Sequence, residues 1–194
     1  MVDHIHKGLA ERSKMWKLLV EQKIKQERSI MIFLFIAALL AAEPTAEELA
    51  FKLVSDTKVG TASTTHKNGP LGSMMPYALD DLGRPIVFLS DLAVHTKNIK
   101  KNSQASIFVT EPTKEVEFDN PRLTLIGKMV LVPKKELEEA RKLYFKRFPE
   151  AKIFEQFHDF SMYRLEITDI YYVGGFGPKP IQWLDIKKYQ KAAK

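Results

Sequence analysis

The chain has 194 residues, 45% of them hydrophobic, which suits one globular domain with a real core, and 10 prolines and 9 glycines give no sign of disorder. It has no cysteine, which excludes disulfides, thiolate catalysis and Cys-based zinc or iron–sulfur sites. The net charge of +6 does not predict a nucleic-acid surface: residues 1–42 hold seven Lys/Arg against four Asp/Glu, about half of the excess, and the remaining charges are interspersed.

The first segment, Val2 to Ser29, has helix-forming composition and no proline, with Leu9, Trp16, Leu19 and Val20 loosely on one face. Ile30 to Ala42 (IMIFLFIAALLAA) is an uninterrupted apolar run of 13 residues. It falls short of the roughly 20 residues that cross a bilayer. It follows Lys23, Lys25 and Arg28 and ends in small residues before Glu43 and Pro44, the layout of a secretory signal peptide. The stretch ahead of it is longer than an ordinary signal n-region, and Leu40 would stand three positions before a cut after Ala42. Residues 1–43 are therefore expected to be a basic segment plus a signal-peptide-like or anchor segment, the only part that would meet a membrane. That reading places the protein in the secretory pathway, extracellular or lysosomal. The alternative is a buried core helix in a cytoplasmic protein.

Residues 44–194 read as the folded domain. Thr45 followed by Glu48 predicts a capped helix start, with Ala46, Leu49, Leu53 and Val54 as its apolar stripe. Lys58 to His66 reads as a strand, Asn68-Gly69-Pro70 as a turn and Ser73 to Leu79 as a second strand. Asp80 to Gly83 is a hairpin turn into Arg84 to Leu89, and Leu92 to Lys101 is a short helix. Ala105 to Thr110 and Leu123 to Val132 are further strands. Lys134 to Phe148 is the clearest helix, with Leu137, Ala140, Tyr144 and Phe148 at helical spacing. Phe160 to Ile167 alternates as a strand, Tyr171 starts the last one, and Gly174 to Gly177 ends it. Asp185 to Lys194 is a short helix or a frayed tail. The pattern is mainly β with flanking helices: six or seven mostly antiparallel strands in a barrel or sandwich.

No Walker loop or GxSxG is present, Gly174 to Gly177 do not open a helix, and His66, His95 and His158 are far apart. One stretch, Ser90-Asp91-Leu92-Ala93-Val94-His95-Thr96-Lys97-Asn98, gathers hydroxyls, an imidazole, an amine and an amide where a strand enters a helix. Backbone N–H groups there suit a phosphate, with Thr96 and Lys97 adding a donor and a charge. Equally, Ser90 or Asp91 caps the helix and Lys97 is solvated.

Taken together, GPLGSMMPYALDDLGRPIVFLSDLAVHTKNIKKNSQASIFV, NPRLTLIGKMVLV and FPEAKIFEQFHDFSMYRLEITDIYYVGGFG resemble the FMN-binding split-barrel superfamily, pyridoxamine 5′-phosphate oxidase-like, in the branch with CREG-type and HugZ-type proteins. The resemblance implies a split β-barrel that pairs as a homodimer, with FMN in the groove between protomers and redox chemistry on a small-molecule ligand. It places Ser73, Met74 and Met75 near the flavin, and Ser90, His95, Thr96 and Lys97 at the phosphate end. Ser73 stands where flavin oxidases of this class commonly carry an arginine. Two alternatives follow from the same branch. One is HugZ-like haem binding or degradation, with His95 or His158 as ligand. The other is a non-enzymatic CREG-like binding protein with no cofactor.

Overall fold

The computed structural model describes residues 2–39, 43–111 and 119–194, with the side chains of 14–33 in the first stretch. Residues 1–43 and 44–194 form two separate units. In the first, one helix, α1 (Val2–Leu39), runs through both the basic segment and the apolar run, which the sequence reading had separated. The end of that run, 40–42, lies outside the described residues. No helix among the described residues is long and apolar enough to cross a membrane.

The second unit opens with α2 (Ala46–Asp56). Thr45 Oγ1 accepts from the Glu48 N–H at 3.2 Å, and the Glu48 carboxylate accepts from the Thr45 N–H at 2.7 Å. This reciprocal box satisfies two of the four N–H groups that a helix start leaves orphaned. Ala50, Leu53 and Val54 are the buried face.

One antiparallel sheet follows. Its strands are β1 (Val59–His66), β2 (Gly69–Pro76), β3 (Ala78–Leu79), β4 (Pro85–Ser90), β5 (Gln104–Thr110), β6 (Arg122–Leu131), β7 (Phe160–Val173) and β8 (Ile181–Trp183). Their order is β2-β1-β5-β6-β7-β4-β3, with β8 also on β7. Curled around one core and flanked by helices, this is a split barrel. The expected second strand, Ser73 to Leu79, is divided in two. β2 starts earlier, at Gly69, in a hairpin with β1, and it stops at Pro76, which has no N–H to continue the ladder. Ala78 and Leu79 pair instead with β4. The two strands expected at Phe160 and Tyr171 are one, β7, of 14 residues.

That continuity depends on a bulge. Gly127 pairs with Ile167 and Ile126 with Asp169, so Thr168 is an extra residue on β7. Before it Tyr163 and Leu165 are buried; after it Ile170 and Tyr172 are. The inward positions therefore change parity, which is why alternation in the sequence breaks at this point.

The main core joins inward residues of the sheet, among them Ala62, Ile107, Leu125, Leu165 and Ile170, to α2 and to Tyr189 of α5 (Ile186–Ala192). A second cluster packs α4 (Leu137–Arg147), through Ala140 and Tyr144, on Ala78, Ile86 and Met162. At the bulge the strands approach so closely that a Cβ on Gly127 would lie 2.0 Å from the backbone oxygen of Glu166. Backbone cannot rotate aside as a side chain can. Gly127→Ala is expected to destabilise the domain by about 3 kcal/mol, read as a lower urea midpoint with an unchanged m-value.

Candidate functional site

Residues directly opposite in an antiparallel sheet share a face. Met74 is opposite Thr61, Thr61 opposite Phe108, Phe108 opposite Thr124, Thr124 opposite Tyr171, and Tyr171 opposite Trp183. One row thus crosses six strands on the outer face of the sheet. Its four large members are exposed, Met74 at 76% and Trp183 at 63%, and the Tyr171 and Trp183 rings lie 5.0 Å apart. Beside it runs a second row, Gly72, Ser63, Ser106, Ile126 and Asp169. A cavity of about 400 Å³ opens on this face, lined by Ser63, Thr65, Pro70, Ser106, Thr124 and Ile126. Its wall is neutral: hydroxyls and apolar carbons.

Helix α3 (Val94–Lys101) docks on β1. Asn98 Nδ2 donates to Thr64 Oγ1 at 3.1 Å, and Asn102 Nδ2 donates to Thr65 Oγ1 at 3.4 Å. His95 lies three residues before Asn98 and so shares the helix stripe that meets β1. It is half-buried, and burial alone lowers its pKa below the ordinary 6.5. His158 is exposed in the approach to β7. His66 ends β1, and its Nδ1 accepts from the Asn68 N–H at 3.4 Å.

The residues singled out from the sequence are partly brought together. On β2, pleating sends Met74 outward, while Met75 is 1% exposed in the core and half-buried Ser73 shares its side. Tyr77 is also core, with its hydroxyl donating to Val54 O at 2.8 Å. At the strand-to-helix junction, the N-cap of α3 is Ala93, and neither Ser90 nor Asp91 caps it. Ser90 Oγ instead donates to the Asp159 carboxylate and accepts from the Leu92 N–H at 3.1 Å. Asp91 pairs with Lys100 at 2.7 Å. Thr96 is wholly buried with no hydrogen-bond partner for Oγ1, whereas Lys97 is exposed. The two adjacent residues therefore differ in access, Thr96 facing the interior and Lys97 the solvent. Sequence reading missed the row Phe108, Tyr171 and Trp183 and the hydroxyls of Ser63, Ser106 and Thr124. Their alternation within each strand was visible, but their meeting depends on register.

A larger cavity, about 760 Å³, lies between the β3–β4 hairpin and α4. Its guanidiniums are already engaged. Arg164 reaches Glu136 at 2.6 Å and Glu166 at 2.7 Å, and Arg84 reaches Asp80 and Glu166 at 2.8 Å each. Glu136 has its pKa lowered chiefly by the hydrogen bond from Arg164. This is an ion network tying α4 to the sheet. Among the described residues no His, Asp and Glu group could hold a metal ion.

The fold, with its open outer face and the helix docked on β1, defines a split-barrel protein. The chain belongs to the CREG β-barrel family, whose model matches residues 42–191. It is 35% identical over 117 residues to the non-canonical heme oxygenase HOZ, chloroplastic, of Arabidopsis thaliana, covering 60% of this chain and 36% of that protein. It thus spans about a third of the curated relative it matches. Among solved structures, a heme binding protein from Mycobacterium smegmatis superposes with a TM-score of 0.72 at 29% identity, over 78% of this chain and 62% of that one. HutZ, the heme storage protein of Vibrio cholerae, superposes with a TM-score of 0.58 at 23% identity, over 68% of this chain and 97% of that one. The last is a likeness of fold.

Arg164 is 7% exposed, and removing it would leave Glu136 without its guanidinium, while Asp80 and Glu166 keep Arg84. Arg164→Met is expected to cost about 1–3 kcal/mol at neutral pH, since its acidic partners are open to solvent. Adding Glu136→Gln should return part of that loss, measured by thermal or urea unfolding in a double-mutant cycle.

Proposed function

We propose that the chain is a haem-binding split-barrel protein that works as a homodimer paired across the open sheet face, with His95 as the iron ligand. The observation that carries the reading is the relationship to a heme oxygenase at 35% identity, joined to the superposition on a heme binding protein at 29%. The residues fit the group. Haem is a flat, largely apolar ligand with an iron that takes a neutral imidazole. His95 is half-buried on the stripe of α3 that meets β1, and burial lowers its pKa, which favours the neutral imidazole. Bound haem would supply the redox chemistry for breaking its own ring, the second step of this reading.

Flavin is the competing occupant. FMN chemistry would need a phosphate grip, and Thr96 is wholly buried while Ser73 offers a hydroxyl in place of a guanidinium. The pairing proposal rests on Met74, Phe108, Tyr171 and Trp183, whose exposure on one row suits a self-complementary interface.

A haemin titration separates the readings. A Soret band that saturates at one haem per protomer or per dimer supports haem; a co-purified flavin spectrum supports FMN; no chromophore with either points to a binding protein of another kind. His95→Ala should weaken haemin binding at least tenfold, while His158→Ala and His66→Ala leave it within twofold. Because only the neutral imidazole binds iron and burial lowers the His95 pKa, affinity should be greatest near pH 8 and fall as the pH drops through the lowered pKa. Loss in His158→Ala alone would move the ligand to that residue.

Sedimentation tests the pairing. Wild type should be a dimer at micromolar concentration, and Phe108→Lys with Trp183→Lys should be a folded monomer, since the changes place charges on a surface with no other role in the protomer core. A wild-type monomer overturns it.

A further inference from the structure

We propose that Asn68 is a site of spontaneous covalent modification in the folded chain: its side-chain amide closes onto the Gly69 backbone nitrogen as a succinimide, which water opens to aspartate and isoaspartate. The fold itself creates the site. β1 and β2 are joined by a two-residue turn, Lys67 and Asn68, with His66 opposite Gly69. Among the described residues only glycines have positive φ, so both turn residues stay at negative φ and Gly69, at +127°, completes the reversal. An L side chain rarely adopts that conformation, so the hairpin requires glycine directly after Asn68. Glycine is also what the chemistry needs, since no Cβ shields its nitrogen from the preceding amide. A Cβ added at Gly69 would meet nothing within 4 Å, so the ring and the attacking water have room.

The other three asparagines each lack something that Asn68 has. Asn98 is 5% exposed, gives its Nδ2 to Thr64 Oγ1 and precedes the branched Ile99. Asn102 is exposed, but both ends of its amide are engaged. Its Nδ2 donates to Thr65 Oγ1 at 3.4 Å, and its Oδ1 accepts from the Gln104 N–H at 3.1 Å. Asn120 is buried and precedes Pro121, whose nitrogen has no hydrogen to give up. Asn68 is exposed, and its side chain makes no hydrogen bond among the described residues; only its backbone N–H is engaged, by His66 Nδ1 at 3.4 Å. It stands at the open end of a hairpin, where pairing frays most readily. In the first step the Gly69 nitrogen loses its proton and bonds to Asn68 Cγ. The Cγ–Nδ2 bond breaks, and ammonia leaves with that proton. Water then adds to either ring carbonyl, giving aspartate, or isoaspartate with the backbone routed through Cβ. Either product puts a carboxylate next to Gly69 and Pro70, which line the neutral cavity of the outer face.

The test is peptide mapping by mass spectrometry of the full chain, kept folded for several days at mildly alkaline pH, in ordinary and in ¹⁸O-enriched water. The peptide carrying Asn68 should gain about 1 Da as NH is exchanged for O, with the new oxygen drawn from the labelled water. It should convert at least tenfold faster than the peptides carrying Asn98, Asn102 and Asn120, and should separate into aspartate and isoaspartate forms. Asn68→Gln should stop the change, because closing the larger ring is far slower, and should leave the circular dichroism of the domain as it was. Conversion of Asn68 only after unfolding in urea would show that the hairpin shields it and would overturn the proposal. So would faster conversion at Asn102, or a product of aspartate alone, which direct hydrolysis gives.

Discussion

Strands β6 and β7 meet at a point where only glycine fits. Gly127 brings the backbone of one strand against Glu166 of the other, and the bulge at Thr168 takes up the extra residue. Everything on the outer face follows from it. Without the extra residue, the parity that buries Leu165 would carry on to bury Tyr171 and expose Tyr172. With it, Ile170 and Tyr172 enter the core, and Tyr171 comes out to stand between Thr124 and Trp183. A single close approach of two backbones thus decides that the apolar row is continuous across the sheet.

The same division into two faces separates stability from function. The inner face is closed by α2, α5 and the capped start of α2, with Tyr77 and Tyr189 each giving their hydroxyl to a backbone oxygen. The outer face is left to the neutral cavity and the apolar row, and α3 is fastened to β1 by two asparagine side chains. The ion network under α4 belongs to the first group. Its guanidiniums are held by carboxylates, whereas the smaller cavity is lined by uncharged residues.

Much of the barrel was legible in advance because its signals are local. The capping box at Thr45 and Glu48, the turn after His66, the hairpin at Asp80 to Gly83 and the stripe of α4 each depend on neighbours a few residues away. The errors have the opposite character. β8 has three residues and no pattern of its own, existing because β7 offers it an edge. β7 looked like two strands because a bulge disguises continuity as a broken alternation. Within the site, Ser90 looked like a cap because of its position before a helix, but Asp159, 69 residues away, takes its hydroxyl.

The amino-acid order by itself determined most of the strand and helix inventory and, through the order of its motifs, the membership of the split-barrel class. These rest on periodicity, capping and motif order, which act over short separations. Tertiary structure alone decided which residues share a surface. Met74 and Met75 are neighbours in the chain and opposite in the fold, because a strand alternates its side chains. Met74 and Trp183 are 109 positions apart and lie on one row, because register across six strands sets their common face. Register is a property of pairing partners, and no single strand carries it.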